Sequence, residues 1–282
     1  MDKYLQNGYN SAKKTYFHNI VKQKLSQIHN HMKRFLTTVL IASCVVLSAK
    51  AQEKITFKLD PEKGKTIPFE MIMKSDVEGA QNMIMDMTMK MNMVATEVTD
   101  ASVTYQTKYT QLKTDVNAGI VTISYDSSKE PANQMEEAMA EQLKPLMENT
   151  LTVTMDRSGK VTDMEFPNVP DQAFDRSSIQ GMSVSYPSYP IAVGDSWENE
   201  VNLPQLSATG KNINTFTEKT PEGYKIAVAG TYTDDTGKTI GTVSGYYIVD
   251  AKTFFTKSSI VTTDMEVQGN KITSSMELKE LR

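Results

Sequence analysis

Histidine and cysteine are scarce in this sequence, and both are missing after residue 51. The 282-residue chain holds three histidines, all before residue 32, and one cysteine, Cys44. Residues 52–282 therefore contain no disulfide and no Ser-His-Asp or Cys-His catalytic group. Ser/Lys and carboxylate-pair catalysis stay open, but no spacing indicates either. We expect a protein that is not an enzyme and that has no cofactor.

Basic side chains are also scarce in the same segment. Residues 1–51 hold eight of the 30 Lys and Arg but one of the 34 Asp and Glu, which leaves residues 52–282 with a net charge of about −11. A strongly acidic protein repels polyanions, so no nucleic-acid partner is expected. The sequence does not indicate any protein partner.

An export signal begins at Met32. Two basic residues precede an apolar run at 35–48, and Ala49-Lys50-Ala51 has the pattern of a signal-peptidase site. The run is shorter than the roughly 20 residues that span a bilayer, so we expect no transmembrane helix after cleavage. The predicted organisation is an over-extended N-terminus at 1–31, a signal peptide at 32–51 and an exported domain at 52–282.

Two alternatives concern the same region. Residues 16–28 have a basic amphipathic pattern that could rest on a membrane surface. Ile41-Ala42-Ser43-Cys44 fits a lipoprotein motif, in which Cys44 would carry a lipid. The apolar run continues past Cys44 to a better cleavage site, so we expect soluble export to the periplasm or the extracellular space.

Alternation of apolar and polar residues dominates the exported segment, and residues typical of strands are frequent there. Gly159 and Gly237 occupy positions where a hairpin turn requires positive φ. A subdomain division near 187–190 is an open alternative to a single sheet. The predicted strands are 55–59, 67–77, 83–93, 102–112, 119–125, 150–155, 160–166, 183–187, 212–219, 224–233, 240–249, 254–267 and 271–281.

One amphipathic helix is predicted between Pro131 and Glu148, and Pro145 should end it near its last turn. Its apolar face should cover one face of the sheet. A second short helix at 170–180 is weakly indicated. The residues of the apolar face are Met135, Ala138, Met139, Leu143, Leu146 and Met147.

Methionine occupies every odd position from 83 to 93. If Glu78 faces Asn82 across a hairpin, Met71 faces Met89, and every odd position of both strands except Ser75 is apolar. A slip of one residue would destroy this match, so the register is well specified. The candidate ligand-binding residues on this face are Phe69, Met71, Met73, Met83, Met85, Met87, Met89, Met91 and Met93.

Three interpretations of the methionine face are open. In the first interpretation the face is simply core, because period-two spacing is what burial of one sheet face requires. A methionine wall also adapts to varied apolar shapes, which favours a hydrophobic or lipid ligand if the helix leaves a cavity. The third interpretation is a Cu(I) site, since thioethers are soft ligands. No residues are assigned to a metal.

Two short motifs occur in the exported segment: Tyr125-Asp126-Ser127 before the helix, and Gly194-Asp195-Ser196-Trp197. The second predicts a tight turn in which Asp195 accepts backbone N–H bonds and Trp197 anchors the turn in the core. An aromatic binding platform is the alternative role for Trp197.

With the segment from Tyr246 to Leu278, these motifs resemble an uncharacterised family (a domain of unknown function) of exported, β-rich proteins from Bacteroidota-type bacteria. The resemblance implies export and a shared fold but no activity. The architecture is loosely similar to the half-barrels of lipoprotein carriers. The predicted fold is mainly β, a curved antiparallel sheet or half-barrel of about a dozen strands with one principal covering helix.

Overall fold

The computed structural model describes residues 53–79, 82–169, 184–203 and 206–282. The predictions for the N-terminal segment 1–31, the signal peptide at 32–51 with Cys44, and the short helix at 170–180 lie outside these residues.

Twelve strands and one helix form the regular structure of the described residues. In chain order they are β1 (Thr66–Glu78), β2 (Met83–Val98), β3 (Ser102–Ala118), β4 (Val121–Asp126), α1 (Gln134–Glu148), β5 (Leu151–Asp156), β6 (Val161–Glu165), β7 (Ser196–Leu203), β8 (Ala208–Thr220), β9 (Gly223–Asp234), β10 (Thr239–Val249), β11 (Thr256–Val267) and β12 (Asn270–Glu280).

All twelve strands belong to one open, curved sheet in which every pairing is antiparallel, so the predicted fold class is confirmed. The strand order is β6-β5-β3-β2-β1-β12-β11-β10-β9-β8-β7, and β4 pairs with β3. The long strand β3 has two partners along one edge, β5 at Ser102–Thr107 and β4 at Lys113–Ala118. The strands on either side of 187–190 lie in the same sheet.

The register predicted for β1 and β2 is confirmed. Met71 faces Met89 and Phe69 faces Met91, and the pairing continues without a shift from Thr66 to Val77. The alternating pattern determines this register because a slip of one residue would move the methionines to the opposite face of the sheet.

Glycine forms the two hairpin turns as predicted. Gly159 and Gly237 have φ of +89° and +83°, in the left-handed region that residues with a Cβ avoid. The Asp156 carboxylate accepts bonds from Ser158 N and Lys160 N at 2.8 and 3.1 Å, and Asp234 accepts the equivalent pair in its own turn. These carboxylates therefore stabilise turns.

Two predicted strands are wrong. Residues 55–59 form only an isolated bridge, in which Ile55 and Ile191 exchange N–H···O bonds of 2.7 and 2.9 Å. Residues 184–187 are extended but unpaired as a strand, and Ser183 lies outside the described residues. The buried side chains Phe57, Val184 and Tyr186 explain why both segments carry a strand-like apolar pattern. They pack against the sheet without joining it.

The predicted helix is confirmed over most of its length, with Asn133 as its N-cap and Pro145 in its last turn. The Asn133 side chain accepts bonds from Met135 N and Glu136 N, both at 3.0 Å, which satisfies two free N–H groups of the first turn. The predicted apolar face is wrong at its N-terminal end, because Met135 and Ala138 are exposed. Contacts with β3 and β4 hold α1 on the sheet.

Two apolar clusters form the core. The first contains Trp197 and Phe216 with side chains from residues 55–59 and 184–187, the two extended segments. The second contains Phe69 and Leu112 with the buried methionines Met71, Met89 and Met91. Tyr105 on β3 belongs to the first cluster, and Tyr109, further along the same strand, belongs to the second. The two clusters thus meet along β3.

Candidate ligand cavity

A cavity of about 380 Å³ lies where the two apolar clusters meet. This volume is at the lower end of the range for small-molecule sites, about 300–1,000 Å³. Its lining is almost entirely apolar and comes from β1, β2, β3, β5, β11, β12, α1 and the extended segments. The lining residues are Leu59, Met71, Met73, Met87, Met89, Met91, Met93, Tyr105, Thr107, Tyr109, Leu112, Leu143, Leu146, Leu151, Val153, Met155, Gly159, Val184, Tyr186, Phe254, Phe255, Thr256, Ser259, Met276 and Leu278.

Six of the nine predicted ligand-binding residues line this cavity: Met71, Met73, Met87, Met89, Met91 and Met93. The other three do not. Phe69 is buried in the second cluster, where its ring packs edge-on against Phe255 with centroids 6.1 Å apart. Met83 and Met85 are half-buried at the hairpin end of β2, beyond the lining. On β2, the methionines from Met87 to Met93 therefore line the cavity, and the two nearest the hairpin do not.

The helix covers the cavity loosely. Leu143 and Leu146 line it, yet no residue of α1 is fully buried. A helix that filled the space beneath it would bury its apolar stripe, as close-packed interiors do. The space under α1 is therefore retained in the folded protein.

About three quarters of the lining comes from residues that the sequence analysis did not assign to a site, 19 of the 25. Leu151, Val153 and Met155 form an alternating row on β5, and Met276 and Leu278 a shorter one on β12. Their period-two spacing was visible, but alternation alone does not say which rows share one cavity. Strand order supplies that, because β5 and β12 lie on either side of β3, β2 and β1.

Burial raises the pKa of the tyrosines that line the cavity. Removal from water raises the pKa of Tyr109 to about 12. Burial also raises the pKa of Tyr105 and Tyr186 far above the usual range, with a small opposing effect of the Arg157 charge on Tyr105. These phenols are therefore neutral hydrogen-bonding groups at physiological pH. The Tyr186 hydroxyl donates to the Phe254 carbonyl oxygen at 2.8 Å.

Tyr125 and Asp126 end β4 and Ser127 begins the turn that follows; none of the three lines the cavity. Ser127 exchanges bonds with Leu112, its N–H donating to the carbonyl and its Oγ accepting from the amide, both at 2.9 Å. Asp126 accepts from Ser128 Oγ at 2.7 Å and Ser128 N at 3.0 Å and lies 3.1 Å from Lys113 Nζ. The Ser128 bonds, with lesser help from Lys113, hold the pKa of Asp126 well below its usual range.

Gly194 and Asp195 form a tight turn that leads into β7, where Trp197 belongs to the first cluster and does not line the cavity. Gly194 has φ of +97°, and the Asp195 carboxylate accepts from Ala192 N at 2.9 Å. Trp197 is 6% exposed, and its indole N–H donates to the Ser185 carbonyl oxygen at 2.7 Å. The arrangement leaves no face of the ring open as a platform.

The described residues contain no group of three or more His, Cys, Asp or Glu side chains placed to hold a metal ion. Methionine is not among those residue types, so this finding leaves the thioethers aside. Within the same part of the chain, no helix is long and apolar enough to cross a membrane.

No protein-family model matches the sequence, and no curated protein matches it. The resemblance to a Bacteroidota-type family therefore stays a prediction. Among solved structures, this chain is similar in fold to part of lipovitellin, from a study of lipid–protein interactions in that protein. The TM-score is 0.52 at 13% identity, over 79% of this chain and 26% of the other. This chain thus spans about a quarter of the length of the lipovitellin chain it matches.

Two further structures match at much lower similarity. An outer membrane lipoprotein-sorting protein domain from Vibrio parahaemolyticus has a TM-score of 0.25 at 7% identity, over 76% of this chain and 83% of its own. A DUF1329 family protein from Desulfovibrio piger has a TM-score of 0.19 at 6% identity, over 77% and 87%. Scores this low carry no argument about fold or function.

Proposed function

We propose that this protein is an exported, non-catalytic envelope protein that holds a hydrophobic or lipid ligand in the cavity beneath α1. The observation that carries the proposal is the unfilled apolar space between the methionine face and the helix. A core-only role for the methionines requires that the helix fill this space. Ligand binding requires that it does not.

The lining supports this function chemically. Methionine is unbranched and polarizable, so a wall containing Met71, Met89 and Met91 adapts to apolar shapes that vary in length and bend. Valine or isoleucine would suit a strand better. Methionine at these positions therefore lowers the strand propensity, and a wall that adapts to differently shaped ligands explains why it is used.

The fold similarity to part of lipovitellin supports the same proposal. That protein's structure was determined to describe lipid–protein interactions, and this chain is similar to about a quarter of it. Similarity of fold does not transfer function by itself. It adds weight here because this chain has an apolar cavity of its own.

A Cu(I) site is the second candidate function. The observation that favours it is convergence, because eight methionines line one cavity and thioethers are soft ligands. Histidine and cysteine, which would strengthen such a site, do not occur in residues 52–282. We therefore place lipid binding first.

Native mass spectrometry of the protein, purified as the cell produces it without detergent or chelator, tests both functions. A bound mass in the lipid range is expected. Copper masses that disappear on methionine oxidation would instead support the Cu(I) site. A bare polypeptide that also takes up no apolar probe would leave the methionines as core.

A pair of variants on α1 sharpens the test. Leu143→Trp should place an indole in the cavity and remove most of the bound lipid, at little cost in stability because the helix is loosely packed. Met135→Trp adds the same ring on the same helix at a position that is 48% exposed, and should retain the lipid. Equal retention by both variants would contradict a ligand in this cavity.

A further inference from the structure

The wall of the cavity has polar side chains but no charged ones. Among the described residues that line it there is no Asp, Glu, Lys, Arg or His, and its polar side chains are those of Ser, Thr and Tyr. Thr107 and Ser259 are both buried in this lining. Burial raises the pKa of Tyr109 to about 12, so its phenol is neutral as well. The wall therefore offers hydrogen bonds to a ligand but no counter-ion.

The part of the cavity next to the extended segments follows the same rule. Leu59 and Val184 line it there and belong to the first core cluster. Arg157 accepts a backbone bond from Leu59 N at 2.9 Å but does not itself line the cavity. Its Nη2 donates to Asp60 Oδ1 at 2.8 Å, so the guanidinium already has a carboxylate partner. An anionic group in this part of the cavity would meet apolar side chains and neutral phenols.

The same face of the sheet is also uncharged beyond the cavity, toward the β1–β2 hairpin. Met73 and Met276 line the cavity and lie opposite each other on β1 and β12. The next pair on that face is Ser75 and Ser274, whose hydroxyl oxygens are 3.1 Å apart, and Thr263 lies opposite Ser274 on β11. The residues between these positions point to the other face, because successive side chains of a strand alternate. An anion on this side would again meet hydroxyls.

The helix that covers the cavity is acidic. Between Gln134 and Glu148 it carries four glutamates and one lysine, a net charge of −3, and its last turn has no basic residue. Lys144 Nζ lies 4.0 Å from Glu141 Oε1, so the one cation of α1 already has an acidic neighbour. A helix of this charge repels anions and does not stabilise one that lies under it.

Building on the proposed function, we propose that the ligand is an uncharged single-chain lipid, a long-chain alcohol or ester, whose polar group is enclosed in the cavity together with its chain. An ionised carboxylate is costly to remove from water without a counter-ion. In either orientation of the chain it would meet only neutral groups or the acidic helix. A neutral oxygen accepts bonds from the hydroxyls of the wall, and an alcohol also donates to them. The volume of about 380 Å³ favours one chain over a lipid with several.

Displacement of a neutral fluorescent probe, N-phenyl-1-naphthylamine, from the full protein tests the charge preference separately from the cavity. The competitors are decanol and decanoate at about pH 8, where the carboxylate is ionised. Their displacing concentrations are compared with their partitioning into phosphatidylcholine vesicles, in which a headgroup stays at the water interface. The preference of the protein for decanol should exceed the preference of the vesicles about tenfold or more, because only the protein removes the headgroup from water.

A cation placed in the wall should change this preference. Leu146 lines the cavity from the loosely packed helix, so Leu146→Lys adds a counter-ion there and should lower the displacing concentration of decanoate about tenfold. Met135→Lys adds the same charge to the same helix at a position that is 48% exposed, and should change it less than about twofold. Leu143→Lys, also in the lining, replaces Leu146→Lys if that variant does not fold.

Three results overturn the inference while the proposed hydrophobic cavity stands. If the protein and the vesicles prefer decanol equally, the headgroup stays in water. If decyltrimethylammonium competes better than decanol on the same scale, the acidic helix selects a cation. If decanoate gains nothing from a lysine at position 143 or 146, the uncharged wall does not set the preference. A probe that does not bind, or that no competitor displaces, contradicts the proposed function and this inference with it.

Discussion

Met71 on β1 and Met89 on β2 lie directly opposite each other, and both line the same cavity. The next pair along the strands, Met73 and Met87, does the same. A two-stranded apolar ribbon thus forms the floor of the cavity, and the pairing is set by the hydrophobic pattern of both strands. Several outcomes depend on whether these thioethers act as apolar surface or as ligands.

Met87→Leu separates the two roles of the methionine face. Leucine has a similar volume and no sulfur, so the change should cost less than about 1.5 kcal/mol of stability and retain the bound lipid. Bound mass is measured by native mass spectrometry, with Met83→Leu, outside the cavity lining, as the control. Loss of bound copper in Met87→Leu but not Met83→Leu would favour the thioether site instead.

Trp197→Phe tests whether the single tryptophan is an anchor. The variant loses the indole bond to Ser185 and part of a buried ring, which should lower the free energy of unfolding by about 1–3 kcal/mol. Asn199 Nδ2 also donates to the Ser185 carbonyl oxygen, at 3.0 Å, so this acceptor keeps a partner. Ligand retention should not change. A variant of normal stability that loses its ligand would make Trp197 a binding residue.

Gly223→Ala should be among the most destabilising small substitutions. Gly223 has φ of +147°, and a Cβ there would collide with the Val249 carbonyl oxygen. We expect a loss of about 2–5 kcal/mol, measured by urea unfolding. Gly237→Ala is the matched control, because it also has positive φ but open space around the added carbon, and should cost about 1–2 kcal/mol. Equal losses in the two variants would mean that the positive φ alone, and not the collision with Val249, determines the loss of stability.

Asp126 predicts a pH dependence of stability. Its bonds from Ser128 lower the pKa in the folded protein below the ordinary value of 3.8. The folded state therefore binds fewer protons, and the stabilisation is present above about pH 4 and is lost as pH falls further toward the lowered pKa. Urea midpoints should show that Asp126→Asn destabilises the protein at pH 6 and has a smaller effect at pH 2.5. A difference that does not shrink in acid would contradict this account.

Ser128→Ala tests the cause of that shift. It removes the 2.7 Å hydroxyl bond and leaves the backbone N–H bond, so part of the pH dependence should persist. Complete loss of the pH dependence would show that the hydroxyl alone is responsible.

Much of the fold was predictable because its signals are local. The alternation of Met71, Met73 and Met87 identifies two strands and their register, since a side-chain period of two leaves one arrangement with every apolar residue on the same face. Gly159 and Gly237 identify turns because only glycine adopts their backbone angles without strain. Apolar residues at helical spacing between Pro131 and Glu148 identify the helix, because residues three and four apart lie on the same side of it.

Local pattern failed where a distant partner determines the structure. Residues 55–59 and 184–187 alternate like strands because their side chains are buried. Their backbone bonds go to Ile191, Arg157 and Ser158, none of which belongs to a strand of the sheet. Whether an extended apolar segment joins a sheet or packs across it depends on which edges remain free. Here β4, β6 and β7 lie at the edges, and neither segment pairs with any of them.

The sequence by itself determined the strand pattern, the register of β1 and β2, the turns, the helix and the apolar character of the methionine face, because each follows from side-chain periodicity or backbone sterics over a few residues. Only the tertiary structure decided that a cavity remains beneath α1 and which rows of apolar side chains line it. A cavity remains when the volume enclosed by the curved sheet exceeds the volume of the side chains that enter it, and here those side chains come from six strands. No local pattern encodes such a difference.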